Sequence, residues 1–140
     1  MKIISLFIII SVQFSIDCIG QQNDTTIYID PEINPSLRYD TCSTLRNSIE
    51  KFFIDKYRMP AVLLDNSYIG NIYIEFIVER DSSLSNIRVI QGIDEPLDKS
   101  VIEAIKGIPK WIPGVEKGKI VRTRIVLPIS INWLYGKTNQ

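Results

Sequence analysis

Ile108-Pro109-Lys110-Trp111-Ile112-Pro113-Gly114 is the stretch on which the fold turns. Two prolines and a glycine bracket one tryptophan, which suits a stiff connector that stops a helix and buries a large ring. Proline offers no backbone N–H and pushes the residue before it out of the helical region, so Ile108 and Ile112 are expected to be extended. The segment holds no nucleophile, no metal ligand and no acid–base pair. It belongs to architecture, and it directs attention to binding rather than to catalysis.

On its N-terminal side, residues 97–106 read as a short amphipathic helix. Val101, Ile105 and Ile108 fall at i, i+4 and i+7 with Ile102 beside them, and Asp94, Glu95 and Asp98 set negative charge at the positive helix start. On its C-terminal side, the charged turn Val115-Glu116-Lys117-Gly118-Lys119 leads into a strand expected from Ile120 to about Trp133. Alternation puts Val121, Thr123, Ile125, Leu127, Ile129, Ile131 and Trp133 on one face, and Arg122, Arg124, Val126, Pro128, Ser130 and Asn132 on the other. A proline inside a strand is tolerated at a sheet edge with its missing N–H outward, so Pro128 predicts an edge strand.

Further upstream, residues 70–79 alternate with Ile72, Ile74, Phe76 and Val78 on one face. Arg80-Asp81-Ser82-Ser83 is a turn, and residues 84–91 form a second strand in which Ile87 and Val89 face away from Leu84 and Ile90. Two alternating runs joined this tightly make an antiparallel hairpin. Before them Leu45, Ile49, Phe52, Phe53 and Lys56 keep a helical period, with Thr44 or Ser43 as the cap and Met59-Pro60 beyond the end. Ala61-Val62-Leu63-Leu64 can add a helical turn. The reading is an α+β domain: a three-stranded antiparallel sheet with two helices packed on one face.

That domain spans 44–136, with a short tail at 137–140. Residues 21–43 are polar, with Pro31 and Pro35 among Asp, Asn and Thr, and read as an extended, partly disordered lead. Residues 1–20 read as a secretory signal. The apolar run 3–16 is shorter than the ~18–20 residues a membrane span needs, and Cys18 and Gly20 provide small residues for cleavage after Gly20. A lipoprotein acylated at Cys18, which Asp17 disfavours, and an uncleaved inner-membrane anchor stay open beside it. After cleavage one cysteine remains, Cys42, and the chain has no histidine at all. Asn23-Asp24-Thr25 matches a glycosylation triplet, a pattern common by chance.

Lys plus Arg and Asp plus Glu number 16 each, so no overall field draws nucleic acid or an anionic membrane. The distribution is uneven. Residues 21–98 carry 7 basic and 13 acidic side chains, whereas 99–140 carry 8 and 2, which makes the last strand the electropositive part. Catalytic sets are poor: Glu75 and Glu79 share a strand face but stand some ~13 Å apart at ~3.3 Å per residue. Asp94, Glu95 and Asp98 lack a calcium-loop pattern, and Gly107, Gly114 and Gly118 lack a phosphate-loop context. No enzyme activity, cofactor, metal or small-molecule substrate is expected. An open sheet edge can accept a partner strand, although Arg122, Arg124 and Pro128 also suit an edge guarded against aggregation.

The order Met59-Pro60, Gly70 with its strand, Asn86-Ile87-Arg88-Val89-Ile90-Gln91-Gly92, Leu97-Asp98, Pro109-Lys110-Trp111-Ile112-Pro113-Gly114, Gly118-Lys119 and Leu127-Pro128-Ile129 resembles the TonB C-terminal domain family. The resemblance is to the Bacteroidetes-type versions and covers residues 45–134, with Pro60, Gly70, Pro109, Trp111, Pro113 and Gly114 as its structural motif. It implies the same three-stranded sheet with two helices. It also implies a periplasmic module that binds a TonB-box-like peptide of an outer-membrane receptor, beside the last strand, in TonB-dependent transmembrane transport. The residues so implicated are Lys119, Ile120, Val121, Arg122, Thr123, Arg124, Ile125, Val126, Leu127, Ile129 and Asn132, and Arg122 and Arg124 would favour an acidic or polar peptide. The chain departs from the family at Met59, where a tyrosine is usual (Tyr57 is near), and at Asp81-Ser82-Ser83, where Asp-Gly is usual. It also lacks the Phe-Pro-Gly-Gly lead, a membrane histidine and a long Pro-rich spacer. A lead of about 24 residues reaches ~75 Å at most at ~3.1 Å per residue. A self-associating domain, with Cys42 locking a homodimer, and a membrane-anchored energy transducer are the alternatives.

Overall fold

The computed structural model describes residues 25–38, 44–109 and 111–135, with Trp133 in backbone only. The signal-like segment, Cys18, Asn23, Cys42 and the 137–140 tail lie outside the described residues.

Helix α1, Leu45–Lys56, starts where Thr44 accepts the Asn47 N–H on its side-chain oxygen at 3.4 Å, and it stops at Tyr57, whose backbone is extended. Its Ile49, Phe52 and Phe53 are buried. Pro60 then opens a single 3-10 turn, Ala61–Leu63. Strands β3, Asn71–Val78, and β4, Leu84–Gln91, form the expected antiparallel hairpin. Its turn carries Ser82 at φ 72° and is held by the Asp81 carboxylate on the Ser83 N–H. Helix α2, Glu95–Lys106, follows, with Asp98 reaching back to accept the Ile93 N–H at 3.1 Å. The Tyr57 hydroxyl meets that of Ser100 at 2.6 Å and ties the two helices together.

The connector resolves into two short strands, β5, Trp111–Ile112, and β6, Gly114–Glu116. Lys117 and Gly118, at φ 48° and 73°, make the tight turn into β7, Lys119–Ser130. Positive φ at both turn positions matches the twist of a two-residue hairpin. The lead supplies two more strands, β1, Ile27–Tyr28, and β2, Ser36–Leu37. The main sheet runs β1-β7-β3-β4, with β6 also on β7, and β2 pairs with β5. Ile72, Ile74, Phe76, Val78, Leu127 and Ile129 join α1 and α2 in one hydrophobic core.

The class is α+β as expected, but the sheet has five strands rather than three. The three expected strands form its centre; β1 and β6 are added by the lead and the connector. The last strand is shorter than expected. It ends at Ser130, and Ile131–Leu134 form a helical turn, α3. Ile131 gives its N–H to Gly70 O at 3.1 Å, and both Ile131 and Leu134 are buried, so turning inward buries two side chains that an extended chain would divide between faces. Tyr135 fixes this end by donating to Asn66 O at 2.9 Å.

Leu84 is a second correction. It packs on the core together with Ile87 and Val89, not against them. Glu75 pairs with Arg88 and Ile77 with Ser85, so Asn86 and Ile87 both stand opposite Phe76, and the strand bulges with Asn86 at φ 51°. The extra residue switches the alternation, and asparagine tolerates the left-handed backbone.

The lead differs most from expectation. Pro31, Pro35 and Leu37 are buried, and Leu37 belongs to the core. Ile33 exchanges both backbone hydrogen bonds with Val115, at 3.0 and 2.8 Å, and the Glu32 carboxylate accepts the Lys117 N–H at 3.1 Å. Gly114 explains how the lead lies so close. A Cβ there would stand 3.0 Å from Pro31 Cγ, 3.1 Å from Ile33 O and 2.5 Å from Thr123 Oγ1.

Candidate partner-binding edge

Strand β7 is paired differently along its length. Lys119, Ile120 and Val121 meet β6, Arg122 and Thr123 meet β1 in parallel, and residues 123–130 meet β3. Among the described residues, no strand lies on the outer edge of β7 beyond Thr123. The edge expected from Pro128 is therefore present over the second half of the strand. Pro128 stands opposite Tyr73 and has no N–H to give, so that pair belongs to the non-hydrogen-bonded set of the ladder. By alternation, Ile125, Leu127 and Ile129 turn their backbone groups toward β3. Arg124, Val126 and Ser130 turn theirs outward, in line with the place that β1 takes beside Arg122.

A groove of about 540 Å³ runs along this open edge. Ile29, Asn34 and Pro35 of the lead and Leu45 and Arg46 at the start of α1 form one wall; Glu75 and residues 124–128 form the other. Ile125 is half-buried and Val126 is 49% exposed, so apolar surface faces the groove from both sides of the strand. Arg124 is exposed and reaches Glu75 only at 4.0 Å, while Arg88 holds that same carboxylate at 2.6 Å.

Arg122 is placed otherwise. It makes a two-pronged pair with Glu79, at 2.6 and 2.8 Å, and donates to Thr25 O at 3.2 Å. The Arg122 bonds pull the Glu79 carboxyl below its ordinary 4.5, burial works against that, and the Ser85 hydroxyl adds to the lowering. Arg122 thus holds the hairpin and the lead, and of the two β7 arginines it is Arg124 that faces the groove, across from Arg46 of α1.

The remaining expected residues divide by side-chain direction. Val121, Thr123, Leu127 and Ile129 are buried beneath the sheet and can offer a partner only their backbone. Lys119 and Ile120 are exposed but sit beside β6. Asn132 falls within α3 and is not on the strand. Of the motif residues, Gly70 has φ 116°, which only glycine adopts freely, and Pro60 caps the 3-10 turn. Pro109 precedes β5, and Pro113 separates it from β6. Trp111 is 3% exposed with its ring 5.0 Å from that of Phe76. Sequence reasoning missed the groove wall made by Ile29, Pro35 and Leu45. The signal was there in Pro31, Ile33, Pro35 and Leu37, an alternating apolar series inside a polar lead.

Known proteins give three findings. A family model described as the Gram-negative bacterial TonB protein C-terminal matches residues 56–132. No curated protein matches the chain. The NMR solution structure of the Helicobacter pylori TonB C-terminal domain is similar at 18% sequence identity and a TM-score of 0.42, covering 66% of this chain and 88% of that one. With the family model spanning more than half of its length, from the end of α1 through β7 into α3, the chain belongs to the TonB C-terminal family.

Proposed function

We propose that this domain is an exported, periplasmic binding module that takes an extended partner segment as an added strand on β7. The partner is a TonB-box-like peptide of an outer-membrane receptor, in keeping with a family that serves TonB-dependent transport. The observation that carries this reading is the outer edge of residues 124–130, on which no strand lies among the described residues, beside a groove with mostly apolar walls. Main-chain groups on such an edge provide affinity in any sequence context, while alternate side chains of the guest provide selectivity. No catalytic step is assigned to the module, and it needs no cofactor.

Titration of the labelled chain with TonB-box-like peptides tests it, read by backbone amide shifts. Shifts are expected along β7, largest at Arg124, Val126 and Ser130. Shifts confined to other elements, or none at millimolar peptide, overturn the reading.

A further inference from the structure

We propose that the lead is a built part of the binding site: β1 covers the β7 edge at Arg122 and Thr123, and the rest of the lead walls the groove that reads the guest. This rests on the strand-addition reading above and adds to it where the guest lies and which side chains it carries. The matched family region begins at residue 56, so the lead and most of α1 stand outside it.

The lead is anchored independently of β1, by buried Pro31, Pro35 and Leu37 and by the Ile33–Val115 bridge. That leaves its first residues lying along β7, where Ile27 and Tyr28 pair with Arg122 and Thr123 and Arg122 holds Thr25 O. An incoming strand cannot share those positions. It is confined to residues 124–130, about 20–23 Å of strand at ~3.3 Å per residue, room for five to seven residues.

The walls then set its chemistry. Side chains of an added strand alternate between the two faces of the sheet. On the core-facing side they enter between Leu45 and the Ile125–Leu127 pair, which favours apolar residues. On the outer side they pass the exposed Arg124, whose Glu75 neighbour is already held by Arg88, which favours an acid. The fitting guest is a short extended peptide alternating apolar and acidic residues.

The test uses the full chain and an acetylated heptapeptide alternating valine with glutamate, with amide shifts and hydrogen exchange giving the footprint. Wild type is expected to show protection at 124–130 with the amides of 119–123 unchanged and those of 25–28 still protected. The exposed and half-buried positions of β1 allow an Ile27→Pro/Tyr28→Pro variant, whose fold is checked by thermal unfolding. In it the footprint is expected to spread to Arg122 and affinity to rise severalfold. Arg124→Gln is expected to erase the preference for glutamate over lysine in the guest, at least fivefold. A wild-type footprint that covers 119–123 while releasing 25–28 overturns the proposal but leaves strand addition standing. A footprint absent from β7 overturns both.

Discussion

Trp111 fills the space between the connector and Phe76, and its indole N–H is buried without an acceptor among the described residues. The ring is thus held by packing alone. Trp111→Ala is expected to cost about 3–5 kcal/mol, the range for emptying a large aromatic site. Trp111→Phe keeps most of the ring contact, discards the unpaired donor and should cost about 1–2 kcal/mol, both read from chemical denaturation. Thr123 poses the same problem in smaller form. Its hydroxyl is fully buried and unpaired among the described residues, so Thr123→Val is expected to stabilise the fold by about 1 kcal/mol. Glu79 makes the chain sensitive to acid. Its carboxyl titrates below its ordinary 4.5 in the folded state, so the Arg122 pair contributes above that pH and is lost as pH falls through the lowered value. Below pH 4.5 the unfolding midpoint of Glu79→Gln should therefore fall less steeply than that of the parent.

At the scale of elements, β7 is the part whose use can be tested by removing single atoms. Val126→Pro deletes an outward N–H and leaves the bonds to β3 in place, as Pro128 already does two residues on. The variant is expected to fold, by circular dichroism, and to bind a strand-forming peptide at least tenfold more weakly. Retained affinity would show that the outer edge is not where the guest bonds. Elements governed by local chemistry were legible in the sequence. The cap at Thr44, the stop before Pro60, the Asp81–Ser83 turn and the burial of Trp111 all follow from short-range rules. Those decided by distant partners were not. Nothing local to Asn86 announces that β4 carries an extra residue against Phe76. Likewise Ile131 looks like one more alternating strand position until Gly70 offers it a carbonyl. The edge itself was readable from Pro128, but its division into a closed and an open half was not, because β1 comes from nearly a hundred residues away in sequence.

For the whole molecule, the docked lead changes how far the domain can stand from whatever precedes it. Residues 25–37 are folded back along β7, β6 and β5, so they cannot also serve as a leash. Between Gly20 and Thr25 lie four residues, a span of less than about 20 Å even when fully drawn out at ~3.6 Å per residue. If residues 1–20 stayed in a membrane, the docked lead would keep the domain close to that membrane. Release after Gly20 would instead leave a freely diffusing carrier of the edge. The mass of the protein recovered from cells decides between these: loss of residues 1–20 is expected to free the edge for distant receptor segments, and their retention to restrict it to partners that come to it.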